Sequence, residues 1–377
     1  MKDLDKVKKL MAAYSPFSKI RDVVKLGDVS MLETLLQRTK MDLTAVDKEG
    51  FNLLYYATIG NNIDTFDYLY EKKPQLLNFK SHSGKNLLHI SAIYSCSEIM
   101  ERILCAGVLD INQKDNEGYT PLHDAVLLSE HNLTKMLIQN GADPTIRTEE
   151  GMNALELCIE YDNNLKNSEV KIKTTIRRNI KTLLDSGMSL NDTSLDGKSY
   201  LRKAIEKNNL YLLKLAIAEK TDFTLVDKEK NQLIHYAAEE INMNVIKMLA
   251  CNGVDINAKN SESKNPLMIL AQKGFLSEDL LRFAIDKGLD VNSQDKQGNT
   301  ILHYAVAKLQ LGNNHLIKVL LERGADATIM NKKKKTPIDI SVKPYRHILI
   351  EKEKNILHNF ISKIDNLIHT KKPLVIK

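Results

Sequence analysis

Apolar residues run through the chain in short clusters at three- and four-residue spacing, broken repeatedly by Gly, Asn, Asp or Thr-Pro. That spacing predicts short amphipathic helices, since half-buried strands would alternate strictly. Adjacent apolar pairs such as Leu35 and Leu36, Ile103 and Leu104, Leu137 and Ile138, Leu183 and Leu184, and Leu320 and Leu321 close the buried face of one helix in each pair. After Ser341 a different pattern takes over. Leu349, Ile356, Leu357, Phe360, Ile361, Ile364, Leu367 and Ile368 continue at helical spacing, which predicts one amphipathic helix near the end.

Laid on itself, the chain repeats with a period near 33 residues, and units in one register start near Ala13, Asp47, Ser81, Asp115, Thr148, Ser194, Asp227, Asn260, Asp295 and Asn331. Successive spacings are 34, 34, 34, 33, 46, 33, 33, 35 and 36, so only the fifth unit carries a large insertion, at residues 163–177. The recurring letters have mechanical reasons. Gly at the fourth position (Gly50, Gly84, Gly118, Gly151, Gly197, Gly298) suits a turn needing positive φ, and a second set (Gly107, Gly141, Gly187, Gly253, Gly288, Gly324) suits a helix C-cap. Thr120-Pro121, Asn265-Pro266 and Thr336-Pro337 place a capping side chain before a proline whose missing N–H is harmless in a first helical turn.

The stretch from Asp115 to Arg147, DNEGYTPLHDAVLLSEHNLTKMLIQNGADPTIR, resembles the ankyrin-repeat consensus almost letter for letter. The resemblance covers roughly residues 13–345 and implies an all-α ankyrin-repeat solenoid: stacked helix-turn-helix units with β-hairpin-like fingers, closed by the C-terminal amphipathic helix. The expected organisation is an N-terminal segment 1–12, a capping repeat 13–46, eight repeats over 47–330, and a degenerate last repeat, capping helix and basic tail over 331–377. Lys230, Ser263 and Lys334 depart from the pattern at the turn glycine, while units one and two lack the C-cap glycine.

Charge and composition narrow the function classes. The formal net charge is +6, but from Asn331 onward 12 Lys or Arg face 4 Asp or Glu, which leaves residues 1–330 at 42 against 44. The repeats themselves are not basic, so nucleic acid is not the expected partner. Apolar residues make up 43% of the chain without any run long enough to span a bilayer, and residues 1–12 lack the apolar core of a secretory signal. Cys96, Cys105, Cys158 and Cys251 show no CxxC pairing, so they read as reduced thiols in a cytoplasmic monomer.

His89, His123, His235 and His303 could pass for a catalytic or metal set, yet each holds the ninth position of its unit. In the family this histidine bonds neighbouring backbone, and Tyr55 stands in its place in unit two. No HExxH, GxSxG or P-loop string occurs, and no enzyme, cofactor, metal or small-molecule substrate is expected. The lysines of NKKKKT, Asn331 to Thr336, hold turn positions and read chiefly as a solvated fingertip.

Binding is the remaining use of such a surface. Family concave positions fall on Phe51, Ile59, Ile93, Tyr94, Tyr119, Leu127, Leu128, Met152 and Tyr161, an apolar stripe in the first half. Units six to eight carry charged residues such as Lys198, Glu206, Lys207, Glu239, Glu240 and Lys273 there. The expected function is a protein-protein interaction scaffold that binds protein partners through this concave face. Alternatives are a substrate adaptor, a secreted effector acting in a host cytoplasm, and a basic-tailed nuclear regulator. The insertion, with Val170, Ile172 and Ile176 among Lys166, Lys171, Lys173, Arg177 and Arg178, reads as a short basic helical extension between the two helices of unit five.

Overall fold

A computed structural model describes residues 16–165, 169–308, 314–341, 346–351 and 354. The N-terminal segment 1–12, Lys166 and the tail positions from Ile356 onward lie outside the described residues. The chain divides into two compact units, Met1–Tyr200 and Leu201–Lys377.

In the first unit the helices come in antiparallel pairs: α1 (Pro16–Leu26) with α2 (Val29–Thr39), α3 (Leu53–Ile59) with α4 (Ile63–Lys72), α5 (Leu87–Ile93) with α6 (Ser97–Ala106), α7 (Pro121–Leu127) with α8 (His131–Gln139), and α9 (Ala154–Asn164) with α10 (Val170–Asp185). The second unit takes α11 (Tyr200–Glu206) from Leu201 onward and continues with α12 (Leu210–Ala218), α13 (Leu233–Glu239), α14 (Met243–Cys251), α15 (Pro266–Lys273), α16 (Glu278–Asp286), α17 (Ile301–Lys308), α18 (Asn314–Glu322) and α19 (Pro337–Ile340). Residues 346–351 are helical, with Leu349 buried.

First helices of only seven or eight residues are too short to hold themselves in water. Packing holds them. Six of the seven residues of α3 and of α5 are buried, and each first helix lies between those of neighbouring repeats, α3 on α5 and α5 on α7, or α13 on α15 and α15 on α17. Second helices are buried on one stripe alone, for instance Ile99, Met100 and Ile103 in α6. Local chemistry fixes where each first helix begins. Asn52, Asn86, Asn153, Asn265 and Thr336 each accept a backbone N–H of the first turn.

Among the described residues the fingers contain a single isolated bridge, Thr193 with Ser199, and no ladder of strands. Their hairpin shape comes from turns. Asp115 Oδ1 accepts the N–H groups of Glu117 and Tyr119 at 3.0 and 2.8 Å, and the backbone N–H of Asp115 donates to Tyr119 O at 2.8 Å. Asp47, Asn260, Asp295 and Asn331 build the same turn, which is why Asp or Asn opens so many units. Adjacent tips are tied by single backbone bonds, His82 N to Glu49 O and Asn116 N to Ser83 O in the first unit, Lys296 N to Glu262 O and Lys332 N to Gln297 O in the second.

Lys230, Ser263 and Lys334, which replace the turn glycine, keep its left-handed conformation at φ 58°, 58° and 55°. The turn therefore survives the loss of Gly, held by its neighbours against a conformation that L side chains adopt with strain. In the fifth repeat most of the described part of the insertion, residues 163–164 and 170–177, is helical. α9 and α10 run to 11 and 16 residues, and Arg177 Nε meets Asp162 Oδ1 at 3.0 Å across the pair.

Candidate interaction face

The nine stripe residues of the first unit share one trait: each is at least half-exposed or partly exposed, and none is buried. Ile59, Ile93 and Leu127 end α3, α5 and α7, while Tyr94 and Leu128 are the residues that cap α5 and α7. Chain direction places them at matching points of successive repeats. Tyr94 is 47% exposed, Leu128 48% and Tyr161, on α9, 36%. Ile59, Ile93, Leu127 and Met152 are half-buried.

The two finger aromatics are committed to neighbours inside the protein. Phe51 stacks on Tyr55 with centroids 5.1 Å apart and meets Tyr56 edge-on at 6.0 Å. Tyr119 meets the His123 ring edge-on at 5.9 Å, with Lys85 Nζ 6.0 Å from its centroid. These contacts orient the rings, and both residues remain partly exposed. Tyr94 and Leu128 are the most exposed of the nine side chains.

The ninth-position histidines of both units are buried connectors. The Thr120 N–H donates to His123 Nδ1 at 3.0 Å, which leaves the proton on Nε2 to donate to Ile146 O at 3.1 Å. His89 Nε2 reaches Tyr119 O at 3.0 Å, His235 Nε2 reaches Ala258 O at 3.0 Å, and His303 Nε2 reaches Lys335 O at 3.2 Å. Tyr55 does the same with its hydroxyl, donating toward Phe79 O and Lys85 O, each at 2.8 Å. Burial holds the His89 and His123 imidazoles down at about 4, so both are neutral connectors at ordinary pH. Among the described residues no group of three or more His, Cys, Asp or Glu is arranged to hold a metal ion.

Sequence reasoning passed over the tenth position. Tyr56, Tyr236 and Tyr304 each donate a hydroxyl proton to the carboxylate that opens their own repeat, Asp47, Asp227 and Asp295. The signal was present in the register, because each of these tyrosines lies nine residues after an aspartate. In the fourth repeat Asp124 holds that position, and Lys85 Nζ bridges it at 3.2 Å to Asp115 at 2.7 Å. Burial pushes the Asp124 carboxyl up to about 6, against the pull of Lys85. In the fifth repeat Glu156 replaces the histidine and accepts from Arg147 Nη1 at 2.6 Å.

A family model for ankyrin repeats in three copies matches residues 72–148, 173–260 and 234–331, together more than half of the chain. The chain belongs to the ankyrin-repeat family. At that level it is a protein-binding scaffold. Among curated ankyrin relatives, an E3 ubiquitin-protein ligase of Arabidopsis thaliana is 24% identical over 80% of this chain and 19% of its own length. A protein of Acanthamoeba polyphaga mimivirus named for ankyrin repeats is 24% identical over 86% of this chain and 44% of its own. One of fowlpox virus, likewise named, is 31% identical over 72% of this chain and 38% of its own. The ankyrin chain thus spans less than half the length of each. No described helix is long and apolar enough to cross a membrane.

Proposed function

We propose that this ankyrin chain is a non-enzymatic scaffold that holds a protein partner on the first-unit stripe, on the face that is concave in its family. One observation carries the reading: the stripe residues at the ends of α5 and α7 stay exposed, Tyr94 at 47% and Leu128 at 48%, although the helices they end are otherwise buried. An aromatic and a large aliphatic side chain at equivalent points of adjacent repeats are what central anchors of an interface look like. Phe51, Ile59, Ile93, Tyr119, Leu127, Met152 and Tyr161 would supply the surrounding contact area. The partner would add nothing covalent, and the chain would work as a monomer.

A second reading, capture arm of a larger assembly, is favoured by the relative named as a ubiquitin ligase, which the match covers over only 19% of its length. On that reading the stripe takes a substrate and another chain supplies the chemistry. Both readings share one test. The variant Tyr94→Glu with Leu128→Glu should keep helical circular dichroism and lose at least about tenfold in partner capture, since charge at a desolvated anchor is poorly tolerated. A folded double variant that retains the same co-purified partner at full yield sinks the stripe as a binding face.

A further inference from the structure

The fingertips of the second unit fall into two kinds. In the earlier pair an acid holds the third position of the turn, Glu229 between Lys228 and Lys230, and Glu262 with its Oε2 2.6 Å from Lys264 Nζ. Acids accompany the cations there. In the later pair the third position is Gln297 and Lys333, and positions two to five carry Lys296, Lys332, Lys333, Lys334 and Lys335 with no acid among them. All five lysines are exposed. None of their ammonium groups makes an ion pair or a hydrogen bond among the described residues.

The backbone beneath these lysines is fixed. Asn331 Oδ1 accepts the N–H groups of Lys333 and Lys335 at 2.9 and 3.1 Å, and the Lys332 N–H donates to Gln297 O at 2.9 Å. Asn331 Nδ2 donates to Asn299 Oδ1 at 2.9 Å, a second tie between the two tips. Like charges are thus held side by side by bonds that the ammonium groups do not make. The carboxylates nearest in the chain are already engaged. Asp295 is buried, its Oδ1 taking the N–H groups of Gln297 and Asn299 and its Oδ2 the Tyr304 hydroxyl. Asp339 Oδ2 takes the N–H and the hydroxyl of Thr336, each at 2.9 Å, and also feels Arg346 and Lys335. Lys296, Lys332, Lys333 and Lys334 remain unanswered.

We propose that the last two fingertips form a docking edge for a carboxylate-rich segment of a partner protein, whose acids lie across Lys296, Lys332, Lys333 and Lys334. Charge selects an anion, because cations gathered on one rigid edge repel one another until an opposite charge lies over them. The turns themselves select protein over nucleic acid. Residues 295–299 and 331–335 hold no arginine to fork a phosphate and no aromatic ring to stack a base, and the chain belongs to a family of protein-binding scaffolds. A bilayer fits less well. Stable attachment there takes an apolar signal beside the basic one, and Met330, 62% exposed, is the single large apolar residue exposed next to these turns among the described residues. The edge lies in the second unit and does not depend on the stripe.

The test uses the full chain and a fluorescein-labelled peptide of alternating Glu and Gly, titrated by anisotropy at low and at raised salt. A control peptide carries Gln for every Glu. The acidic peptide should bind, salt should weaken it, and the control should bind at least about tenfold more weakly. Lys296→Gln with Lys332→Gln, Lys333→Gln and Lys334→Gln should lower affinity by about tenfold or more with unchanged melting. Removing as many charges from other tips, by Lys48→Gln, Lys228→Gln, Lys230→Gln and Lys259→Gln, should leave affinity within about twofold. Gln297→Glu with Lys333→Glu restores the acid that other tips carry at the third position, and should weaken binding as the four-lysine variant does. Equal binding of the two peptides, no binding of the acidic one, full affinity in either fingertip variant, or an equal loss in the control variant would each overturn the edge. Oligothymidylate and phosphatidylserine vesicles serve as competitors at matched anion concentration. Neither should displace the labelled peptide better than its unlabelled form, and displacement about tenfold better by either would overturn the protein occupant.

Discussion

The fourth and eighth repeats begin alike and are held together differently. Thr120-Pro121 opens α7 and Asn265-Pro266 opens α15, and both first helices are buried along nearly their whole length. Three residues after the cap, the fourth repeat has His123, which joins the Thr120 N–H to the Ile146 carbonyl. The eighth has Met268, equally buried, with no donor to offer. In the same repeat Asn265 Nδ2 is buried without a partner, and so is Ser293 Oγ in the finger that follows α16. A thioether fills the space of the imidazole but not its hydrogen bonds, so the same helix-start device leaves one junction stitched and the other merely packed.

The largest effect that would sharpen this contrast is pH dependence. His89 and His123 sit at about 4 in the fold against an ordinary 6.5, so between those values the unfolded chain binds protons that the folded one refuses. Stability due to these residues is complete above about 6.5 and lost as pH falls toward 4, about 3 kcal/mol for each histidine. Asp124 runs the other way: raised from 3.8 to about 6, it destabilises as pH rises through that window and partly offsets the histidines on acidification. Urea unfolding of the fourth-repeat region, followed by hydrogen exchange from pH 7 to 4, should show the acid loss, and Asp124→Asn should steepen it. A flat profile would mean the imidazoles are not buried connectors.

Exchanging the two side chains should give the next largest effect. His123→Met should destabilise by about 2 kcal/mol, because the Thr120 N–H and Ile146 O lose their partner inside the protein. Met268→His should stabilise by about 1 kcal/mol if Nε2 reaches the carbonyl of Asn299, the fifth residue of the next repeat and the counterpart of Tyr119 O for His89. Melting curves decide it. A Met268→His chain that melts lower would show that the eighth junction has repacked around the thioether and no longer leaves a seat for imidazole.

Turn positions carry the smallest effect. Lys230→Gly, Ser263→Gly and Lys334→Gly should each stabilise by about 0.5–1 kcal/mol, because each residue stands at φ near +55 to +58°. The converse change, Gly118→Ala, should be clearly harmful. Gly118 has φ +80°, and a Cβ there would meet the Glu149 backbone nitrogen at 2.7 Å. Denaturation midpoints that fail to rise in the glycine variants would mean that unfolded-state entropy outweighs the strain relieved.

Much of this was legible along the chain. The register placed the helix starts at Thr120, Asn265 and Thr336, the turns at Gly118 and its counterparts, and the histidines at a structural position, because each depends on residues close in sequence whose backbone geometry is set locally. Asp and Asn at the first position, and Tyr nine residues later, were equally periodic, yet their meaning needed distances: an Asx turn and a hydroxyl-carboxylate bond look like any polar pair until the chain has folded.

What the sequence by itself determined is therefore the repeat: where helices start, where turns need a left-handed residue, and which side of each helix is apolar. Those are nearest-neighbour properties, and periodicity exposes them. Only the tertiary structure decided how inserted residues 163–164 and 170–177 are spent, as longer helices tied by Arg177 and Asp162, and which apolar stripe residues remain in solvent. It also decided that Phe51 and Tyr119 lean on neighbouring rings while Tyr94 and Leu128 do not, and that Asn265 Nδ2 is left alone. Exposure and hydrogen-bond satisfaction belong to the packed neighbourhood of a side chain, which residues from adjacent repeats assemble, and no single repeat contains that information.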